Sequence, residues 1–578
     1  MSKNIADQIV EMLVEAGVKR FYAVTGDSLN QLNDAIRRSG KIQWIHVRHE
    51  EVGAYAASAE AELEGLAVCG GSSGPGHVHL INGLYDANRT RVPVLAIAAT
   101  IPSGDFGTDY FQSTNTIKLF DDCSVYNQVI QTPQQAPRML QTAIQHAIHK
   151  RGVAVLGLPG DIAALPAVES VSSMHNYATP VILRPVDTEL QRTAALLNTK
   201  PKVAIYCGYG AREAHDEVVQ LASKLKAPVG YTFRGKMGIQ YDNPNEVGMT
   251  GLLGLPSAYH SMHEADVVLL LGTDFPYTPF MPTNNKIIQV DDSPENLGRR
   301  ARLEIGLCGN IKDTITALLP YIGEKQDSGF LKGQLQLYAE VQKHLHTYVK
   351  DSGSTDKIQP EFVASLIDSL AAKDAIFTMD TGMCCVWAAR YVRATGKRLF
   401  LGSFNHGSMA NAMPMSIGAS LSYPGRQVIA FCGDGGLSML LGDLATIKQY
   451  NLPIKLVVFN NRALGMVKLE MQVQGLPDNE TDMVNPDFAL IAEAMGFKGI
   501  TVHEPALLEK AVGEAFTHNG PVLLNVMTNP NSLAMPPTID WDEMKGYMLS
   551  MTKMMLGGRM NDILEMVRSN YKHLKEVL

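Results

Sequence analysis

The chain has 578 residues, of which 46% are hydrophobic and 19% charged, a globular balance with length for three or four domains. Its formal net charge of −8 argues against a general nucleic-acid binder. Seven cysteines stand at 69, 123, 207, 308, 384, 385 and 432 with no Cys-x-x-Cys spacing, which points to buried, reduced thiols in a cytosolic protein.

The opening stretch, MSKNIADQIVEMLVEAGV, reads as an amphipathic helix containing acids. It lacks the basic start and apolar stretch of a secretory signal. No run of about 18 apolar residues predicts a membrane span. Short apolar runs ending in Gly, Asp or Asn then alternate with helical patterns. In chain order they are RFYAVTG, AVCGGSSGPG, VPVLAIAAT and GVAVLGLPGD. After a proline-bearing stretch near 165–187 come KVAIYCGYG, DVVLLLGTDF, KIIQVDD and EIGLCGN. After a polar linker at 350–360 come DAIFTMDTG, RLFLGSF, QVIAFCGDGG, IKLVVFNN and PVLLNVM. Continuous apolar strands between helices predict mainly parallel sheets covered on both faces. The expected class is α/β, with three doubly wound domains at 1–180, 185–345 and 355–530 and a helical tail at 538–578.

One strand end stands out. The run VIAFC meets Gly433, Asp434, Gly435 and Gly436, and the following strand ends at Asn460 and Asn461. Ligands of open parallel sheets bind beyond the carboxyl ends of strands. The 24 residues between Gly435 and Asn460 suffice for one crossover helix, starting near Leu437, and a return strand alongside. Either fragment alone reads as a turn. Together they offer an Asp and an Asn as hard oxygens, and glycines that admit a ligand to the backbone, a combination suited to Mg²⁺ with a diphosphate.

That pairing resembles the signature of thiamine-diphosphate enzymes. The segments AGVKRFYAVTGDSLN, RHEEVGAYAA, GPGHVHLINGLYDANR, YDNPNEVGMTGLLG, GSFNHGSMANAMP and CGDGGLSMLLGD extend the resemblance over essentially the whole chain. They are similar to the pyruvate oxidase family, and within it to the bacterial quinone-dependent branch. The resemblance implies Asp434, Asn461 and the carbonyl of Ala463 as Mg²⁺ ligands, with Gly435 and Gly436 beside the diphosphate. It implies Glu50 as the acid that hydrogen-bonds the aminopyrimidine ring, and Met409, flanked by Gly407 and Ser408, as the prop that bends thiamine diphosphate. Leu464, Gly465, Met466 and Val467 would line the cofactor, and Met466, Glu470, Phe111 and Gln112 the substrate side.

For the middle domain the resemblance implies FAD. Gly208 and Gly210 form a weak dinucleotide motif, because Glu213 stands where a third glycine belongs. Arg234 would face phosphate, Asp291 an adenine-side ribose, and Gly251, Leu252, Leu253, Gly254, Thr273, Asp274, Phe275, Pro276 and Tyr277 the rest of the flavin nucleotide.

The implied activity is oxidative decarboxylation of pyruvate to acetate and CO₂, with electrons passed through FAD to a membrane quinone. The alternatives are a carboligase of acetolactate-synthase type with structural FAD, an oxidase using O₂ and phosphate to make acetyl phosphate, and a non-catalytic scaffold. The family's arrangement implies a homotetramer with active sites at dimer interfaces, where Glu50 of one chain meets Asp434 of its neighbour. In the tail, methionines at 544, 548, 551 and 555 form a stripe, and Arg568, Lys572, His573 and Lys575 give a basic amphipathic helix. Such a helix can lie on anionic membrane lipid, which would place the protein on the inner face of a bacterial cell membrane.

Overall fold

A computed structural model of the chain describes residues 3–169, 181–351 and 357–532, with 549, 550 and 553. Three six-stranded sheets follow one another, every strand pair parallel. In the first, β1 (Arg20–Ala23), β2 (Gln43–His46), β3 (Ala67–Gly71), β4 (Val94–Thr100), β5 (Tyr126–Val129) and β6 (Val153–Pro159) lie in the order β2-β1-β3-β4-β6-β5. In the second, β7 (Val203–Cys207), β8 (Val229–Tyr231), β9 (Glu246–Met249), β10 (Val267–Leu271), β11 (Lys286–Asp291) and β12 (Ile305–Cys308) run β12-β11-β10-β7-β8-β9. In the third, β13 (Ile376–Met379), β14 (Leu399–Gly402), β15 (Val428–Gly433), β16 (Lys455–Asn460), β17 (Lys498–Val502) and β18 (Val522–Met527) run β14-β13-β15-β16-β18-β17.

Central strands such as β4 and β10 are buried at every residue, as strands covered by helices on both faces must be. Each apolar run read from the sequence is one of these strands. The strands without such a run are β2, β5, β8, β9 and β17. Four of them, all but β8, are sheet edges. Of these, β2, β5 and β17 carry residues such as Gln43, Asn127 and Lys498 in exposed or half-exposed positions, whereas β9 is buried throughout.

The first and third domains meet along two helices, Glu50–Glu64 and Ala412–Ser422. The first helix, EEVGAYAASAEAELE, is buried on nearly all sides from Glu50 to Ala61, and its alanines allow close approach. An added Cβ at Gly418 would stand 2.2 Å from the Ala56 carbonyl oxygen. One expectation about the crossover needs correction. The helix after β15 starts at Asp434, not near Leu437, and ends at Met439. The return to β16 is completed by a separate helix, Leu444–Gln449, because the chain breaks into a tight turn at Leu441–Asp443.

Among the described residues no helix is long and apolar enough to cross a membrane. All seven cysteines are free thiols, and only Cys308 is not fully buried. The predicted amphipathic tail lies outside the described residues, except for the three positions named above.

Candidate functional site

Adjacent pairing of β15 and β16, with Gly433 opposite Phe459, brings Asp434 and the Asn460–Asn461 pair to neighbouring strand tips. Asp434 is only 3% exposed. One carboxylate oxygen, Oδ2, accepts the Arg462 N–H at 2.8 Å and the Asn485 amide at 2.7 Å. The other, Oδ1, accepts the Gly435 N–H at 3.0 Å. Burial raises the Asp434 pKa, and these hydrogen bonds oppose the rise. A carboxylate offers about four lone-pair directions, so a cation can still be served.

Asn460 and Asn461 divide their work. Asn460 donates to Asn525 Oδ1 at 3.0 Å and accepts from Asn485 at 3.0 Å, which makes it a spacer between strand tips. Among the described residues, Asn461 Oδ1 accepts only the Ala463 N–H, at 3.1 Å, which leaves it a lone pair. Between them and Ala463 the chain turns through Arg462, whose φ of 54° is left-handed and costly for a residue with a side chain. Bonds from Leu464 N–H to Thr481 O, 2.7 Å, and from Met483 N–H to Arg462 O, 2.8 Å, hold that turn.

The glycines make a cradle. A Cβ at Gly435 would meet Leu464 Cδ2 at 2.9 Å and Met409 Cε at 3.1 Å, so Met409, Leu464 and Gly435 converge. A Cβ at Gly436 would meet Asp380 Oδ2 at 2.4 Å, and one at Gly465 would meet the Asn461 amide at 2.8 Å. Gly407 takes a φ of 78°, and Ser408 N–H donates to Ser403 Oγ at 2.9 Å just before Met409. Met466 is half-buried, whereas Val467 and Glu470 lie exposed on the helix Gly465–Val473. Asp434, Asn461 and the Ala463 carbonyl offer hard oxygens on the two strand tips beside Gly435 and Gly436. These residues fit Mg²⁺ and a diphosphate.

In the first domain Glu50 opens its helix and is 7% exposed. His79 Nδ1 lies 2.9 Å from Glu50 Oε2. A Cβ at Gly76 would stand 3.1 Å from Glu50 Oε1. The rings of His49 and His79 stack at 4.4 Å, and the ligand atoms of His49, Glu50 and His79 lie within 4.8 Å of one another. Phe111 is 78% exposed, and Gln112 packs its Cβ toward Gly74, beside the same turn. Among the described residues no hydrogen bond or ion pair joins Glu50 to the third domain. Among several polar links between the two domains, the one beside Glu50 is Asn82, which donates to Glu51 at 2.8 Å and to Ser408 Oγ at 3.2 Å. The structure thus brings Asp434, Gly435, Met409, Asn461 and Leu464 together in the third domain, and Glu50 and Gln112 to the turn at Gly74–Gly76 in the first.

The middle-domain residues are placed differently. Gly208 and Gly210 follow β7, and a Cβ at Gly208 would stand 2.3 Å from Gly272 O and 2.5 Å from Thr273 Cβ. Gly210 is likewise close to Gly272. Gly251 abuts Phe275 and Tyr277, and Gly254 abuts Thr250. Thr273 and Phe275 are buried, Leu253 is half-buried, and Leu252, Pro276 and Tyr277 are exposed. Arg234 pairs with Glu62 at 3.3 Å and covers the Tyr209 ring at 3.9 Å. Asp274 pairs with Arg299, with Arg300 at 3.4 Å and with Arg91 at 3.9 Å. Asp291, at the end of β11, accepts from Ser293 N–H and Asn296, each at 3.0 Å.

Sequence reasoning overlooked four residues. Asn485 joins Asp434 to Asn460, and a lone Asn in a loop carries no signal of that. His79 and Asn82 sat unassigned inside GPGHVHLINGLYDANR. Asp380, one residue past β13, is buried and accepts the Ala412 N–H at 2.8 Å and the Gly433 N–H at 3.1 Å. Burial pushes its carboxyl up to about 7. Its signal was available, as the one acid ending the apolar run DAIFTMDTG.

Sequence profiles of one family match three parts of the chain. They are described as the N-terminal TPP binding domain, central domain and C-terminal TPP binding domain of thiamine pyrophosphate enzymes, at residues 3–119, 190–318 and 380–526. The chain is 36% identical to a putative thiamine pyrophosphate-containing protein, YdaP, of Bacillus subtilis, over 95% of this chain and 96% of the relative. It is 32% identical to a pyruvate oxidase of Lactiplantibacillus plantarum, over 90% and 87%. It is 28% identical to an acetolactate synthase of Zea mays, over 92% and 86%.

Proposed function

Because the chain belongs to the thiamine pyrophosphate enzyme family, we propose that it oxidatively decarboxylates pyruvate, with FAD carrying the electrons to a membrane quinone. The balance is pyruvate plus water plus quinone giving acetate, CO₂ and quinol. The observation that carries the thiamine part is the buried Asp434 carboxylate beside Asn461 at paired strand tips, with lone pairs left for a divalent ion. Asp434, Asn461 and Ala463 would hold Mg²⁺, and Gly435, Gly436, Met409 and Leu464 would shape the diphosphate and ring cradle.

Thiamine diphosphate, when bound, supplies the carbanion chemistry that releases CO₂. The chain orients and protonates. Glu50, buried and held by His79, offers Oε1 beside Gly76 as its proton-sharing oxygen. Gln112 and Met466 would border the 2-oxo acid. Glu50 and Asp434 sit in separate clusters of one chain, which favours a homotetramer whose dimer interfaces unite them. FAD would use the middle domain, where Arg299 and Arg300, with Arg91 of the first domain, surround Asp274 near Asp291. Membrane lipid would meet the tail at 538–578, on the inner face of the membrane.

The test is the visible spectrum of the purified protein with thiamine diphosphate and Mg²⁺, before and after anaerobic pyruvate. A flavin band that bleaches, with acetate as product and reoxidation by quinone, is expected. Acetolactate with an unbleached flavin would make the protein a carboligase, and acetyl phosphate with peroxide an oxygen-dependent oxidase.

A further inference from the structure

The loop around Phe111 and Gln112 is strained. Asp109 and Gln112 both have a φ of 59°, a left-handed conformation costing about 1–3 kcal/mol for a residue with a side chain. Such a conformation persists only where the surroundings impose it. On one side, a Cβ at Gly74 would stand 2.9 Å from Gln112 Cβ, so the loop rests directly on the turn before helix Pro75–Thr90. On the other side the anchor is His77, on the first turn of that helix and fully buried.

Both ring nitrogens of His77 are occupied. Nε2 lies 2.8 Å from the Ala99 carbonyl at the end of β4, and Nδ1 lies 2.7 Å from Thr114 Oγ1. A carbonyl only accepts, so Nε2 carries the hydrogen. Burial pushes the imidazole down to about 4, so the ring is neutral and Nδ1 accepts from the Thr114 hydroxyl. His77 thus ties the rigid end of a central strand to the loop two residues beyond Gln112. Two residues further along the same helix, His79 holds Glu50. One helical turn fixes both the proton-sharing acid and the exposed loop.

We propose that His77 is a positioning residue that sets the Phe111–Gln112 loop through Thr114 and so governs binding of the 2-oxo acid. This rests on the reading of the site given above. The contact that matters is the one to Thr114, and two near-isosteric variants separate it from the one to Ala99. In His77→Asn the amide oxygen stands near the place of Nδ1 and can accept from Thr114, but nothing reaches Ala99. In His77→Gln the amide nitrogen stands near the place of Nε2 and can donate to Ala99, but the acceptor for Thr114 is gone.

The experiment measures pyruvate KM and kcat, thiamine diphosphate affinity, and amide hydrogen exchange of residues 109–115 in the full chain without substrate. His77→Gln and Thr114→Val are expected to raise KM by about tenfold, the worth of one hydrogen bond with its buried partner left over. They should also speed exchange across 109–115, with kcat and cofactor affinity held. His77→Asn and Thr114→Ser should stay close to the parent in both readouts. Equal behaviour of the Asn and Gln variants would make His77 core filling and overturn the proposal. So would unchanged exchange in Thr114→Val. Exchange needs no turnover, so it judges the loop anchor even in a protein that fails to act on pyruvate.

Discussion

Two strand tips in this chain carry similar glycine punctuation, Gly433-Asp434-Gly435-Gly436 after β15 and Gly208-Tyr209-Gly210 after β7. At β15 the atoms nearest an added Cβ on Gly435 are the far ends of Leu464 and Met409, flexible side chains that can yield to a ligand. At β7 the nearest atoms are backbone of Gly272 and the Cβ of Thr273, which cannot. Protein partners occur at both tips. Asp434 accepts three hydrogen bonds and Asp291 two, both at Oδ1, while Arg234 and Asp274 lie in ion pairs. Glycine spacing reveals that something approaches the backbone closely, and only the atoms opposite the glycine reveal whether they can yield.

The sharpest way to break the comparison is Asp434→Ala. Removing this buried carboxylate from the β15 tip should abolish Mg²⁺-dependent binding of thiamine diphosphate in calorimetry. It should cut turnover by at least about a thousandfold, the several kcal/mol a divalent ion supplies. Flavin content should be unchanged. Near-normal cofactor binding would dismiss the strand-tip site.

A smaller effect sharpens the other side. Arg234 and Glu62 pair at 3.3 Å with side chains 11% and 8% exposed. Arg234→Gln leaves Glu62 buried without its cation, which should cost about 3 kcal/mol of stability. Thermal unfolding should show this loss while flavin content holds, and adding Glu62→Gln should recover part of it. Flavin loss with an unchanged melting temperature would instead assign Arg234 to a phosphate.

These contrasts also explain what the sequence could disclose. Central strands other than the three-residue β8 were legible because burial on both faces leaves them continuously apolar, as in VVLLL of β10. Four of the six edge strands, such as β5, YNQV, were not, because pairing on one side only lets polar residues stand in them. That Asp434 and the Asn460–Asn461 pair lie at neighbouring strand tips was legible, because an isolated acid among glycines between two apolar runs marks the end of a strand. Asn485, Asn82 and His77 were not, since each acts through a residue distant in the chain and only folding brings the two together. In the segment FRGK, Gly235 and Lys236 serve packing beside Arg234: a Cβ at Gly235 would stand 2.6 Å from Cys207 O.

Lys236 supplies the smallest and most discriminating test. Its side chain, 2% exposed, reaches from the middle domain to donate to the carbonyls of Ala389 and Val392, each at 2.6 Å. These carbonyls end the helix Met383–Tyr391 of the third domain. Two effects compete there. Carbonyls at a helix C-terminus favour the ammonium, and burial disfavours it. Burial wins, lowering the pKa from 10.5 to about 8. Between those two values the unfolded chain holds a proton that the folded chain has released, so stability rises with pH across that window and is flat on either side of it. Lys236→Met has no such group. The melting temperature of the parent should therefore gain on that of Lys236→Met between pH 8 and 10, by on the order of a few degrees. A gap that shifts the other way over the same range would mean that the helix end, and not burial, decides the charge of the cross-domain lysine.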